Sequence, residues 1–242
     1  MTSIGIYGSL GRMGRAIADA ATDMGARIAG GADEKDDPEA LARLADVLVD
    51  FSAPAALEAH LAAARAAGTP IVIGTTGLSP QHHVLIDRAA EEIAVLQTGN
   101  TSLGVALLSR LVRDAAQRLG QDWDVEIVEM HHRNKVDAPS GTALMLGQAA
   151  AEGLDVELDE SAVIGRAGLT GARATGTIGF SSLRGGTVVG DHCVVFAGNG
   201  ERLELAHRAE DRGIFATGAV RAALWLAQQP NGRYTMDQVL GL

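Results

Sequence analysis

The chain has 242 residues, of which 47% are hydrophobic, 21% charged and only 3% aromatic, a composition typical of a globular protein with an aliphatic core. Its formal net charge of −10 argues against nucleic acid and against an anionic membrane surface as partners. Cys193 is the only cysteine, which excludes an internal disulfide and a cysteine-based metal cluster. Neither a leader-like segment nor an apolar run long enough to span a bilayer is visible, so we expect a cytoplasmic protein.

The first predicted element is a short apolar strand that leads into a glycine-rich turn. Residues 3–7 form the strand, and Gly8, Gly11 and Gly14 follow in the spacing G-x-x-G-x-x-G, ahead of an amphipathic helix. In a dinucleotide-binding turn, such glycines provide a tight turn, close approach of the backbone to a pyrophosphate, and close packing of helix on strand. Glycine-rich turns occur in many folds, but the strand before and the helix after favour a nucleotide site here.

The next predicted strand, a weak one at residues 27–32, is followed by a charged loop. Glu34 lies 20 residues after Gly14, the distance at which an acidic side chain binds the ribose hydroxyls of NAD. Lys35 follows it and can instead pair with the 2′-phosphate of NADP. The two residues predict that both NADH and NADPH are accepted, and a solvated loop is the alternative interpretation.

A regular alternation of strands and helices follows. We predict strands at 46–51, 71–73 and 94–97, with helices at 54–67 and from Ser79 onward. That order indicates a parallel sheet with right-handed crossovers, whose ligands bind at the carboxyl ends of the strands. The candidate cofactor contacts at those ends are Phe51, Gly74, Thr75, Thr76 and Asn100. A plain turn is the alternative for the loop 74–77.

After Asn100 the pattern changes. We predict a helix at 103–119, a strand at 125–130, a helix from Gly141, and short strands with glycine-rich turns from Val163 onward. These short strands predict hairpins of an open mixed, mostly antiparallel sheet with one face free for oligomerisation. A last helix at 214–228 precedes a tail that we expect to return to the first domain.

The predicted fold class is therefore α/β, with two domains. Residues 1–101 and 220–242 would form a dinucleotide-binding domain around a Rossmann-type parallel sheet. Residues 102–219 would form an α+β domain that binds the substrate and carries the contacts between subunits.

The stretch 126–143, EIVEMHHRNKVDAPSGTA, concentrates chemically active side chains in one segment. His131 can titrate near neutral pH and donate a proton, and Lys135 is a compact cation that can hold an anion or protonate a nitrogen. Ser140 is a candidate N-cap, and a helix start with Gly141 can bind a carboxylate through backbone N–H groups. Each residue alone fits a solvated loop with an ordinary cap, whereas the set favours an active site. Adjacent histidines without a third ligand are weak support for a metal, so we expect none.

These motifs carry a resemblance that runs over nearly the whole chain. The sequence resembles the dihydrodipicolinate reductase family, which acts in the diaminopimelate route to lysine. The shared strings, besides Glu34-Lys35, are GSLGRMG at 8–14, DFSAP at 50–54, GTTG at 74–77, EMHHRNKVDAPSGTA at 129–143, GRAGLTGAR at 165–173 and GAVRAALWL at 218–226. The pattern E-x-H-H-x-x-K-x-D-x-P-S-G-T-A is highly specific, whereas the glycine turn alone is not.

The resemblance implies an oxidoreductase that reduces a small dicarboxylate, 4-hydroxy-tetrahydrodipicolinate, to tetrahydrodipicolinate with NADH or NADPH, and that assembles as a homotetramer. It also implies that His131 is the proton donor and that Lys135 is the second catalytic residue. The implied substrate cradle consists of His132, Ser140, Gly141 and Thr142. The implied cofactor contacts are Gly11, Arg12, Met13, Glu34, Lys35, Gly74, Thr76, Asn100 and, from the returning helix, Arg221.

The chain departs from the family pattern at two places. The span 36–45 is shorter than in many members, which puts one edge strand and the cover on the adenine side in doubt, and Ala53 replaces a basic residue found in some relatives.

Two other functions stay open. One is a different Rossmann-type oxidoreductase, against which the HHRNK string argues. The other is a dinucleotide-sensing protein without catalysis, which would not need the cluster of His131, Lys135 and Ser140.

Overall fold

The structure of the protein, a computed structural model, describes residues 1–242 and contains eleven β-strands and nine α-helices. The chain divides into two compact units. The first combines Met1–Leu103 with Gly213–Leu242, and the second is Gly104–Arg212. The chain returns from the second unit to the first between Arg212 and Gly213, directly before the helix Gly213–Leu226. The boundary predicted from the sequence, at 219–220, lies inside that helix. That helix, Gly213–Leu226, thus belongs to the first unit over its whole length.

The elements are defined as follows. The strands are β1 Ser3–Tyr7, β2 Arg27–Ala32, β3 Val47–Asp50, β4 Ile71–Ile73, β5 Ala94–Gln97, β6 Asp124–His131, β7 Ala162–Ile164, β8 Ile178–Arg184, β9 Gly190–Ala197, β10 Arg202–Ala209 and β11 Gly232–Tyr234. The helices are α1 Arg12–Asp23, α2 Pro38–Leu44, α3 Leu57–Ala67, α4 Pro80–Ala90, α5 Leu103–Leu119, α6 Gly141–Leu154, α7 Leu158–Ser161, α8 Gly213–Leu226 and α9 Met236–Leu240. None of the helices combines the length and the apolar character that crossing a membrane requires.

The first unit is built on a six-stranded parallel sheet in the order β11-β5-β4-β3-β1-β2. The chain runs from β1 outward to β2 and then returns past β1 to β3 on the other side. The strand order therefore reverses between the carboxyl ends of β1 and β3, which is where ligands of such sheets bind. Gly8 and Phe51 directly follow those two ends.

Helices cover both faces of this sheet. One face packs against α2, α3 and α4 in an apolar cluster that includes Tyr7, Leu41, Leu61 and Ile86. Ile6 is buried as well, and because successive strand residues point to opposite faces it lies on the other side, where α1 and α8 contact the strands. Both faces are thus shielded from water, which explains why the central strands are nearly continuous in apolar residues.

The second unit is built on a five-stranded mixed sheet in the order β10-β9-β6-β8-β7. β10, β9 and β6 pair antiparallel, whereas β6, β8 and β7 pair in parallel, and the antiparallel pairings join more residues than the parallel ones. Helices α5 and α6 cover one face, where Ile127, Leu146, Phe180 and Phe196 belong to the apolar core.

Strand β6 alternates strictly between half-buried and buried side chains, and its buried series is Val125, Ile127, Glu129 and His131. The first two belong to the apolar core. The last two carry a carboxyl group and an imidazole onto the same covered face, because side chains repeat every second residue along a strand. A polar site is thereby built into the end of a hydrophobic surface.

The predicted α/β fold, with a Rossmann-type sheet and a second mixed sheet, is confirmed. Three local regions add detail to that prediction, and in one of them, the glycine-linked strands, the prediction of several hairpins was wrong. Residues 36–45, where an edge strand was in doubt, contain α2, with Asp37 as its N-cap. The glycine-linked segments form only one hairpin, β9–β10, because β8 lies on the far side of β6 rather than beside β9. The tail contains β11, which pairs with β5, and α9, which packs on α8.

Candidate functional site

The turn between β1 and α1 carries the three glycines of the N-terminal motif. Gly8 has a φ of +78°, which other residues rarely adopt, and a Cβ there would lie 2.8 Å from the Phe51 carbonyl oxygen. A Cβ on Gly14 would lie 2.3 Å from the Gly8 oxygen, so this glycine lets α1 pack directly on the turn. Gly11 is the exposed N-cap of α1, and no side chain caps the helix. The helix start is therefore open to an anion.

The charged loop after β2 reaches the same turn through Asp33. Its carboxylate accepts hydrogen bonds from Ser9 Oγ at 2.6 Å and from the backbone N–H of Leu10 at 3.2 Å. Glu34 and Lys35, the predicted ribose and phosphate contacts, are exposed next to it. Asp33 was not identified from the sequence, although its position directly after the end of β2 is a signal that could have identified it.

Asp50, at the end of β3, is a buried carboxylate that organises the neighbouring loops. It accepts hydrogen bonds from Ser52 Oγ at 2.6 Å and from Thr75 Oγ1 at 3.1 Å, and His60 Nδ1 lies 2.8 Å from its second oxygen. The His60 ring stacks on Tyr7 with 3.9 Å between centroids. Thr75, a predicted cofactor contact, thus has its side chain buried against Asp50. Neither Asp50 nor His60 was singled out from the sequence, because their pairing depends on how α3 packs.

The remaining predicted cofactor contacts lie at strand ends or on two helices of this unit. The Phe51 ring covers Gly74, where a Cβ would lie 2.1 Å from a ring carbon, so only glycine fits under the ring. Asn100 Oδ1 accepts the backbone N–H of Ser102 at 2.9 Å. Four further residues are at least partly accessible: Arg12, Met13, Thr76 and Arg221.

The polar end of β6 in the second unit centres on Glu129, which is only 1% exposed. Arg184 donates to each of its two oxygens at 2.8 Å, the backbone N–H of Ser140 donates at 3.2 Å, and His131 Nδ1 lies 2.6 Å away. Burial raises the pKa of this carboxyl, but hydrogen bonds from Arg184, His131 and Ser182 outweigh burial and lower the pKa to about 2. Glu129 is therefore ionised at neutral pH despite its burial.

His131 lies against a second imidazole. Its ring meets the His192 ring edge to face with 5.1 Å between centroids, and His192 Nε2 lies 3.0 Å from Ser140 Oγ. Burial lowers the pKa of His131, against the opposing effect of Glu129. Burial also lowers the pKa of His192, to about 4. Both rings are consequently neutral in most molecules near pH 7.

The loop after β6 carries Lys135, which is paired within the loop. Its Nζ lies 2.7 and 2.8 Å from the two oxygens of Asp137, and this contact lowers the pKa of the Asp137 carboxyl. Arg184 donates to the Asp137 carbonyl oxygen at 2.6 Å as well as to Glu129. Arg184 thus ties the Lys135 loop to the buried end of β6, and an incoming carboxylate would compete with Asp137 for the ammonium group.

The start of α6 lies beside these groups. Ser140 is its N-cap, as predicted, because its side chain accepts the backbone N–H of Ala143 at 3.1 Å. The same hydroxyl contacts His192, and Ser140 is only 2% exposed, so its side chain is already engaged within the protein. Gly141 is exposed, and a Cβ there would meet no atom within 4 Å. An anion bound here would therefore meet the open backbone at Gly141 rather than the Ser140 hydroxyl.

His132 lies apart from its neighbour His131. Its Nε2 is 3.4 Å from Arg212 Nη2, outside the hydrogen bonds that surround Glu129. Thr142 is half-buried in the first turn of α6. The predicted residues thus divide into a buried group joined by Glu129 and a more accessible group that includes His132 and Thr142.

Three residues of this site were missed in the sequence analysis: Glu129, Arg184 and His192. The two-residue period of a strand could have placed Glu129 beside His131, since both belong to the buried series of β6. Arg184 and His192 come from β8 and β9, which flank β6 on opposite sides. No local pattern in the sequence reports that pairing.

Two family models match the chain. The model described as dihydrodipicolinate reductase, N-terminus, matches residues 2–101, and the model described as dihydrodipicolinate reductase, C-terminus, matches residues 104–240. The 4-hydroxy-tetrahydrodipicolinate reductase of Zymomonas mobilis is 55% identical and covers 99% of this chain and 97% of its own. The reductase of the same name from Rhodopseudomonas palustris (strain HaA2) is 57% identical over 82% of this chain and 73% of its own.

Solved structures share the fold. The dipicolinate-bound dihydrodipicolinate reductase from Paenisporosarcina sp. TG-14 has a TM-score of 0.76 at 21% identity and covers 97% of each chain. The C. glutamicum DAP dehydrogenase in complex with DAP has a TM-score of 0.57 at 15% identity and covers 97% of this chain and 92% of its own. At such identities the likeness concerns the fold.

Proposed function

The chain belongs to the dihydrodipicolinate reductase family, and from that premise we propose that it reduces 4-hydroxy-tetrahydrodipicolinate to tetrahydrodipicolinate with NADH or NADPH, in lysine biosynthesis through diaminopimelate. The observation that carries the proposal is the 55% identity, along almost the full length, to a reductase of that name. The net reaction consumes a hydride and a proton and releases the 4-hydroxyl group as water. The protein therefore has to bind a dinucleotide, hold a dicarboxylate and supply a proton.

The first unit is proposed to bind the cofactor, whose dihydronicotinamide supplies the hydride when bound. The glycine turn fits a pyrophosphate, since α1 lacks a side-chain cap and Gly11 places no Cβ in front of the helix start. Glu34 would bind the adenosine ribose and Lys35 the 2′-phosphate of NADPH, because both are exposed beside the turn. The other proposed contacts are Gly8, Arg12, Met13, Gly14, Phe51, Gly74, Thr75, Thr76, Asn100 and Arg221.

The second unit is proposed to hold the substrate. The open helix start at Gly141 and the ammonium group of Lys135 offer two positively polarised positions, one for each substrate carboxylate. His132 and Thr142 would extend this cradle, and Ser140 would hold the helix start in place through its capping hydrogen bond. A carboxylate that displaces Asp137 from Lys135 keeps the ammonium charge paired throughout binding.

His131 is the proposed proton donor. Its pKa is lowered in the resting protein, mainly by burial, so most molecules carry a neutral ring at pH 7. A bound dicarboxylate adds negative charge near the ring, which raises the pKa and favours uptake of a proton before the chemical step. Substrate binding thereby prepares the acid that the reaction needs.

The test is the oxidation of NADH and of NADPH, followed by absorbance, with substrate made freshly by the preceding synthase. We expect substrate-dependent oxidation with both cofactors. His131→Gln should lower kcat by roughly 100-fold while leaving the affinity for NADH nearly unchanged, because the imidazole belongs to the second unit and serves the proton step. A wild-type protein that binds NADH but never oxidises it would favour a dinucleotide-sensing function. Near-normal turnover of the His131 variant would remove this residue from the mechanism.

We also propose a cytoplasmic homotetramer without nucleic-acid or membrane partners. The net charge of −10 disfavours polyanionic partners, and a lone cysteine suits a reducing compartment. The sheet face opposite α5 and α6 carries a mainly apolar groove whose lining includes Val128, Met130 and Leu183, the last of which is 50% exposed, together with the charged Asp191 and Arg208. Such a face is suited to association between copies. Light scattering should report the mass of four chains.

A further inference from the structure

Glu129 contacts the His131 ring and the backbone N–H of Ser140, and Arg184 of β8 connects its carboxylate to the Lys135 loop. We propose that Glu129 is the positioning residue of the proton-transfer step. It holds His131 with a hydrogen on Nδ1, so that Nε2 is the nitrogen that takes up and gives away the proton. Its part in turnover rests on the proposed reductase activity, whereas the tautomer can be measured in the resting protein.

The tautomer follows from the ionisation of Glu129. With a pKa of about 2, the carboxylate has no hydrogen to donate at neutral pH and acts only as an acceptor. A contact of 2.6 Å between Glu129 Oε2 and His131 Nδ1 therefore requires the hydrogen to reside on Nδ1. A neutral imidazole has a single N–H group, so Nε2 carries a lone pair and can accept a proton.

Strand β9 leaves space beside His131 Nε2. A Cβ on Gly190 would lie 3.0 Å from His131 Nε2, so any other residue at this position would crowd that nitrogen. The φ of Gly190 is not positive, and the backbone therefore does not demand glycine there. The space that Gly190 leaves lies next to the nitrogen that Glu129 keeps unprotonated.

The fold by itself gains little from a carboxylate at position 129. The position follows Val125 and Ile127 in the buried series of β6, where an apolar residue would continue the core. A buried ion pair such as Glu129–Arg184 is a weak source of stability, since the loss of hydration offsets most of the attraction. The groups that depend on the carboxylate are those of the site: the His131 ring, the Ser140 backbone N–H and Arg184.

The charged groups around His131 shift the pKa of this histidine in opposite directions. The groups that face the ring are Glu129 on the same strand, Arg184 on β8, Lys135 in the loop and His192 on β9. Burial and the two cations lower the pKa of His131, and Glu129 raises it. The carboxylate therefore stabilises the imidazolium that forms when Nε2 is protonated. Without its charge, His131 would keep that proton only at lower pH.

Glu129→Gln tests the proposal, and Glu126→Gln provides the matched control. Glu126 lies on the same strand and is also paired with arginines, Arg166 and Arg173, but it points to the opposite face. The first measurement is ¹⁵N NMR of histidine-labelled protein without ligands, with His131→Gln to assign the signal. We expect the Nδ1–H form in the wild type and in the control. The Nε2–H form should increase in Glu129→Gln, whose amide cannot accept at both terminal atoms.

The second measurement is the pH dependence of turnover. We expect kcat of Glu129→Gln to fall about 100-fold and its alkaline limb to move to lower pH, with an unchanged Kd for NADH. Glu129→Asp keeps the charge, so its kcat should fall at a pH closer to that of the wild type. Glu126→Gln should behave as the wild type. The proposal is overturned if Glu129→Gln keeps the wild-type tautomer and the alkaline limb of its pH profile does not move. A lower kcat alone would not rescue it, because general damage to the fold also lowers kcat. If the wild type shows no turnover, the reductase proposal fails, and the NMR result still decides the tautomer.

Discussion

Acidification should destabilise the folded protein through His192. This residue is 5% exposed, and burial lowers its pKa from 6.5 to about 4. Because the unfolded chain binds a proton more readily than the folded one, stability starts to fall below pH 6.5, and the loss is complete once the pH is below the folded pKa. A pKa difference of this size corresponds to about 3 kcal/mol, of which about 2.5 kcal/mol is lost at about pH 4.5.

The contacts of His192 explain why it resists protonation. Its Nδ1 is buried without a hydrogen-bond partner, and its Nε2 contacts Ser140 Oγ. An imidazolium would have to bury two N–H groups where the protein satisfies one. After burial, the neighbouring His131 is the next influence that lowers the pKa.

The perturbation is His192→Gln, which removes the titrating ring and can still bond Ser140. Urea unfolding would be measured at pH 7 and at about pH 4.5 for both proteins at one concentration, since assembly makes stability depend on concentration. The wild type should lose about 2.5 kcal/mol more than the variant between the two pH values. Groups such as Glu129 titrate in both proteins and cancel in the comparison. Equal losses would refute the reasoning, because the folded protein would then accommodate the charged ring.

Two further substitutions test the charged groups of the two units. Lys135→Ala should lower kcat/KM about 10- to 100-fold, affecting both substrate binding and turnover, because a charge-assisted contact is lost. Steady-state kinetics measures this, and an unchanged kcat/KM would contradict a role for Lys135. Asp50→Asn should cost about 1–3 kcal/mol of stability and weaken NADH binding, because an NH2 group replaces one of two carboxylate oxygens, of which one contacts Ser52 and Thr75 and the other His60. Thermal unfolding and fluorescence titration with NADH measure the two effects, and wild-type values in both would show that this network does not position the loops.

Elements with a local cause were predictable from the sequence. Ser140 marks the start of α6 because its side chain acts on a residue three positions ahead, and Gly8 marks a turn because its φ is positive. The placement of β8 beside β6 was not predictable, because it depends on hydrogen bonds between segments far apart in the chain. The three residues of β11 are too few to show a period, and only their pairing with β5 makes them a strand.

The residues of the candidate site likewise divide into those that the sequence predicted and those that it did not. His131 and Lys135 were found because they crowd into one segment together with Ser140. Arg184 lies 55 residues from Glu129, and His192 lies 52 residues from Ser140, so both contacts exist only once the second sheet has formed. A single segment of sequence thus shows the chemical groups, while the orientation of those groups depends on strands that come later.

The first unit is assembled from both ends of the chain. During synthesis, β1 to β5 leave the ribosome well before α8 and β11, so the face that α8 covers and the edge of β5 are bare in the nascent polypeptide. Ala219, Val220 and Ala223 of α8 are fully buried in the finished protein. Until they arrive, an apolar face and an unpaired strand edge are available to chaperones or to other growing chains. In a polypeptide that ends after Arg212, the apolar face and the strand edge would stay exposed. Such a truncated chain should therefore be prone to aggregate.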